Sequence, residues 1–157
     1  MDNKTPSFRS MYSMDYTFKT AVSMIVGSLL FQVVAYIGFG QIFLPFVAIL
    51  AVLTLIGAAL FIYRYNLITS TFRDGITVTG KVLDLETVVR KDNKGNYRNQ
   101  YYGKFSYAVQ GQPHEIRMRI ADNPHLMGLR EGGDIDLVLR EEKPEIVFIK
   151  MLFVNLV

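Results

Sequence analysis

Between Lys19 and Arg64 the chain carries no Asp, Glu, Lys, Arg or His, an uncharged run of 44 residues. A helix that crosses a bilayer takes about 20 apolar residues at about 1.5 Å each, so the run is long enough for two crossings. Gly38, Gly40, Gln41 and Pro45 interrupt it near the middle. The spacing predicts two spans, over residues 20–39 and 42–63, joined by a turn that leaves room only for an antiparallel hairpin. A cleaved signal sequence fits less well. The first apolar stretch, residues 21–37, is longer than a typical signal core, and no small-x-small site follows it.

The flanks of the run set an expected orientation. Lys4, Arg9 and Lys19 precede it, Arg64, Arg73 and Lys81 follow it, and the turn carries no basic residue. Basic residues concentrate on the cytoplasmic side of spans, so both ends and everything after them are expected there, in an integral protein of a bacterial inner (cell) membrane. Residues 1–19 read as a loose tail to about Ser10, then an interfacial stretch in which Tyr12 and Tyr16 sit at the headgroups. Tyr63 and Tyr65 mark the return of the second span, with Arg64 among the headgroups.

Within the spans, Ala21, Ser28 and Ala35 recur every seven residues with Gln32 beside them. Ala51, Thr54 and Ala58 make a second small-residue face. Small faces let helices approach closely where no hydrophobic effect drives them together. They suit packing of the two spans on each other, or of one face on another subunit. Gln32 is expected to hydrogen-bond a neighbouring helix. The absence of charge from the spans argues against a transport path, which is normally marked by ionisable groups.

From Ile76 the hydrophobic period changes from helical to two. Phe105, Tyr107 and Val109 alternate with polar or small residues, as do Ile116, Met118 and Ile120, and then Ile135, Leu137 and Leu139. Each set describes a strand with one buried and one wet face. Residues 76–90 form a long first strand whose phase breaks around Gly80 to Leu85, which predicts a bulge or a sharp bend. The polar run KDNKGN at 91–96 predicts a hairpin, Gly111-Gln112 a tight turn, residues 123–128 a loop, and Lys143-Pro144 a break before a last strand at 146–150. The expected class is therefore a transmembrane helical hairpin followed by a small all-β domain, residues 75–150. Five or six antiparallel strands would form a bent sheet or a small, partly closed barrel. The apolar segment 151–157 is too short to span, and extends the last strand, lies on the membrane or docks on a partner.

Gly80-Lys81-Val82 on the first strand, a polar hairpin, the aromatic strand YGKFSYAVQG at 102–111, Gly132-Gly133-Asp134 leading into residues 135–139, and Pro144 together resemble the DUF3592 family of membrane-associated domains of unknown function. The resemblance covers residues 76–150. It implies a small β fold beside transmembrane helices and supplies no catalytic residues. The family's tyrosine-proline pair near the last turn is replaced here by Leu139 and Arg140, with Pro144 displaced.

Little in the chain points to chemistry. It has no cysteine, which removes disulfides, thiolate metal sites and a cysteine nucleophile. Its two histidines, His114 and His125, are not at ligand spacing and have no acidic partners, whereas a metal site needs three or four convergent ligands. Asp134, Asp136, Glu141 and Glu142 read as a solvated face, and no phosphate-binding or nucleophile-elbow motif is present. No catalytic residue, cofactor or metal is expected. Arg117 and Arg119, with Lys104 opposite and Tyr101 and Tyr102 nearby, form a short basic stripe. Such a stripe fits a solvated face or contact with anionic headgroups better than a nucleic acid.

The function expected is that of a non-enzymatic accessory or scaffold protein whose partners are the bilayer and itself or other membrane-complex subunits. Two alternatives stand beside it: a homo-oligomeric channel lined by Gln32 and Ser28, and a membrane-tethered ligand-binding or sensing module.

Overall fold

The computed structural model describes residues 5–39, 44–91 and 95–154. Four helices and five strands follow in the order α1 (Phe8–Met14), α2 (Tyr16–Phe39), α3 (Leu44–Asp74), β1 (Ile76–Lys91), β2 (Tyr97–Val109), β3 (Gln112–Ile120), β4 (Asp134–Arg140), β5 (Lys143–Ile149) and α4 (Lys150–Val154). Two of the helices are long and apolar enough to cross a membrane, and only 11% of each apolar window is buried within the chain. A core helix of a soluble protein would be mostly covered. Here Val34, Ile37 and Leu55 stand out, each more than 60% exposed. The expected break at Gly40 and Gln41 lies outside the described residues.

The second helix does not stop where its apolar run stops. It continues through Arg64 to Asp74 for 31 residues in all, about 46 Å. The extension repeats apolar residues at helical spacing, and Ile68 and Phe72 are fully buried in the same core cluster as the sheet. It ends at Gly75, where a Cβ would lie 2.2 Å from the Thr71 carbonyl oxygen, so only glycine lets the chain turn directly into β1.

The sheet order is β3-β2-β1-β4-β5, and every neighbouring pair is antiparallel. β1 is shared along its length: residues 76–81 pair with β4 and residues 81–91 with β2. The register shifts between Val82 and Asp84, where the sequence places its bulge. Among the described strands, β3 and β5 are edges that do not pair, so the sheet is open and a barrel is not what forms. The physical reason lies between those edges. Met14, Asp15, Tyr16 and Arg64 line one cleft together with Met118 to Ala121 from the β3 side and Val147 to Ile149 from β5. Helical side chains occupy the space that closure would need, and Met11, Phe18, Ile68 and Phe72 belong to the core cluster of the sheet.

Several turns differ in detail from the sequence reading. The β2–β3 connection is Gln110-Gly111, both at positive φ (51° and 79°), and Gln112 already belongs to β3. This is the two-residue turn whose twist suits a hairpin. Lys143 and Pro144 open β5 rather than separating strands, and the break falls at Glu141-Glu142. Pro144 and Pro113 both lie on edge strands, where a missing N–H leaves no ladder bond unmade. Lys150 begins α4 rather than ending a strand, and within that helix Leu152 and Phe153 are buried. Phe153 packs on Phe72 at 5.5 Å and on Phe148 at 5.5 Å, so the described part of the apolar tail is covered by its own chain. Helix α1 already begins at Phe8, within the stretch expected to be a loose tail. Ser7 caps α1, and Met11 of α1 is buried in the core.

Candidate functional site at the end of the apolar hairpin

One residue joins the helices to the sheet. Asp15 is the single extended residue between α1 and α2. Its N–H closes α1 on the Met11 carbonyl at 2.9 Å. Its Oδ1 accepts the Phe18 N–H at 2.7 Å, which caps α2 at the position where an acidic side chain satisfies otherwise unpaired amides. Its Oδ2 accepts from Arg64 Nε at 3.0 Å and Nη2 at 2.6 Å. The pair is largely withdrawn from water, with side-chain exposures of 24% for Arg64 and 6% for Asp15. The same guanidinium lies 5.3 Å from the Phe148 ring of β5. Helix start, helix extension and edge strand therefore meet at two charges. Around them Phe18 contacts Phe61 at 5.0 Å and Phe8 at 5.4 Å, which ties α1 to the hairpin. The cleft at this junction has a volume of about 230 Å³.

Arg64 is thus bound by Asp15, with about a quarter of its side chain still exposed. Arg119 lies 4.6 Å over the Tyr16 ring at the same junction. Arg117 sits 4.3 Å over Tyr102 and donates to Glu86 at 2.5 Å. The Glu86 hydrogen bond, then its charge, raises the Arg117 pKa above the ordinary guanidinium value. Lys104 does pair with Arg117 across β2 and β3, but its ammonium binds Glu115 at 2.7 Å, which holds its pKa up. Two of the three basic residues of the stripe, Arg117 and Lys104, therefore carry an acidic partner.

In the hairpin, the Ser28 and Thr54 hydroxyls meet at 2.6 Å and link α2 to α3. Ala21 is fully buried, and its carbonyl oxygen would lie 3.2 Å from a Cβ placed on Gly57. Ala35 and Ala58 are half-buried, whereas Ala51 points outward. Gln32 is half-buried, and its amide has no hydrogen-bond partner among the described residues. His114 stacks on Tyr107 at 5.5 Å, and His125 is exposed in the loop after β3. Asp134 and Asp136 are exposed on β4. Among the described residues no three His, Cys, Asp or Glu side chains come together as metal ligands would.

Asp15 and Gly57 were missed by the sequence reading, though both left signals. An aspartate one residue before an apolar helix is an N-cap signature. A basic residue at the matching end of an antiparallel partner supplies its counter-charge. Gly57 lies between Thr54 and Ala58, on the face already marked by small residues. Compared with family models, curated proteins and solved structures, the chain matches none of them.

Proposed function

We propose that the chain is a non-enzymatic integral membrane protein of accessory or scaffold type, which self-associates or docks on a larger membrane complex. In this reading α2 and α3 cross the bilayer and the sheet hangs on the cytoplasmic side. Their exposed apolar surfaces support the crossing, and the basic residues on both flanks support the orientation. The resemblance of the strand and turn pattern to DUF3592 domains, if it reflects kinship, implies the same setting.

The observation that carries the docking role is Gln32. An amide in hydrocarbon gains from a hydrogen bond across helices, which contributes about 0.6–2 kcal/mol in a membrane, so a second copy or another subunit that offers a partner is favoured at that point. Ser28 is already bonded to Thr54 inside the hairpin, whereas the half-buried Gln32 amide has no such partner among the described residues. The test is mass measurement of the full chain in mild detergent and in lipid nanodiscs. A dimer or larger assembly, or a co-purifying subunit, that is weakened by Gln32→Leu is the expected result. A strictly monomeric particle with no companion contradicts the reading. The same amide favours one other reading, a pore ringed by Gln32. Conductance in planar bilayers that Gln32→Leu abolishes would support it, and silent bilayers would dismiss it.

A further inference from the structure

The β1–β2 ribbon outruns the rest of the sheet. β1 pairs with β4 only from Ile76 to Lys81, and β2 pairs with β3 only from Tyr101 onward. Val88, Val89, Arg90 and Lys91 therefore pair with Gln100, Asn99, Arg98 and Tyr97 alone. They form a two-stranded arm with no third strand on either side, about 13 Å long at about 3.3 Å per residue.

Strand polarity decides which way the arm points. With every neighbour antiparallel, β1, β3 and β5 run in the same direction. The C-terminal parts of β3 and β5 both reach the junction of α1, α2 and Arg64, through Arg119 on Tyr16 and Phe148 under Arg64. β1 starts at the far end of the α3 extension, next to Asp74, and passes the row in which Glu86, Tyr102 and Arg119 lie side by side. The arm continues beyond that row in the same sense, toward the level at which the apolar stretch of α2 begins and that of α3 ends.

Charge is concentrated there. The described residues of the arm, 88–91 and 97–100, contain three basic side chains and no acidic one. Tyr97 is 72% exposed and Val89 57%, with the Lys91 ammonium 5.8 Å from the Tyr97 ring. Tyrosine settles at the headgroup level of a bilayer, and clustered Lys and Arg are drawn to the negative surface of the cytoplasmic leaflet. We infer that this arm is an anionic-lipid contact, with Arg90, Lys91 and Tyr97 reaching the phosphate layer of the bilayer that the chain's own helices cross. The inference rests on the membrane reading above. An acidic protein surface would satisfy the charges, but it would leave unexplained why the arm leaves the sheet on the side of the apolar helices.

The chain has no tryptophan, so Tyr97→Trp installs a single fluorescent reporter. The full chain is reconstituted in phosphatidylcholine vesicles and in vesicles containing phosphatidylglycerol as well. The expected result is a blue shift and protection from aqueous acrylamide only in the anionic vesicles, both lost in high salt and on adding Arg90→Glu with Lys91→Glu. The same water-exposed emission in both lipids, or a shift that survives charge reversal, overturns the inference. A second reporter, Val34→Trp, separates the two claims. If brominated acyl chains quench it while position 97 stays in water, the arm proposal alone fails. If they leave it unquenched, the membrane reading fails and the arm proposal with it.

Discussion

Replacing Arg64 by methionine tests the junction that joins hairpin to sheet. The methionine keeps much of the packing volume beneath Phe148 and removes the guanidinium. Asp15 Oδ2 then loses both of its donors, at 3.0 and 2.6 Å, and Oδ1 keeps only the Phe18 N–H. Breaking a buried ion pair from one side costs about 3–5 kcal/mol, and the residual water contact of Arg64 places this case near 3. Asp15→Asn is milder. It keeps an oxygen for the α2 cap and leaves a guanidinium that still reaches water, so about 1–2 kcal/mol is expected. The double variant removes both charges together and recovers part of the loss, with a coupling of about 1.5–3 kcal/mol. The assay is equilibrium unfolding of the full chain in bicelles, read beside hydrogen exchange of the β5 amides that Arg64 helps to cover. Additive losses within about 0.5 kcal/mol, or unchanged exchange in β5, would refute the reasoning.

Two further variants test other contacts. Gly57→Val forces branched carbon into a gap where even a Cβ meets Ile25 at 3.0 Å and the Ala21 oxygen at 3.2 Å. It should separate α2 from α3 and cost about 1–3 kcal/mol, measured as a lower unfolding midpoint in detergent, while Gly27→Val, in open space, should leave it unchanged. Tyr107 donates to the Pro144 carbonyl at 2.7 Å, and burial, followed by the Glu145 charge, raises its pKa. Because the folded value lies above the unfolded one, the contribution is complete below about pH 10 and is lost as pH rises through the folded pKa. Tyr107→Phe should therefore lower stability by about 1 kcal/mol at neutral pH and flatten the alkaline loss, followed by unfolding between pH 9 and about 11.

The legible parts of this chain are those written in one period. The uncharged run named both long helices. Alternation in residues 105–109, 116–120 and 135–139 named three strands, and the phase break after Gly80 located the bulge. What escaped lies where periods overlap. The helical spacing of Arg64, Ile68 and Phe72 was masked by the polar residues around it, so α3 runs some ten residues past its apolar stretch. That extension is also why no barrel forms, since it supplies core that closure of β3 on β5 would otherwise provide. The Arg64 pairing was hidden for a different reason. Residue type placed the cation at a membrane boundary, but only the antiparallel fold brings Asp15, 49 residues away, to its side. Ser28 and Thr54 were readable as small-face residues, while their mutual hydrogen bond depends on the relative slide of two helices, which no single segment encodes.

The claim on which everything else depends is that the exposed apolar faces of α2 and α3 lie within a bilayer, out of reach of water. The chain has no cysteine of its own, so single cysteines report cleanly. Val34→Cys and Leu55→Cys, on exposed apolar faces, are compared in sealed proteoliposomes with Leu126→Cys in the loop after β3. A membrane-impermeant maleimide should leave positions 34 and 55 unlabelled until detergent and denaturant are added, while position 126 reacts whenever the sheet faces outward. Labelling of positions 34 and 55 as fast as position 126 in intact vesicles would contradict the account.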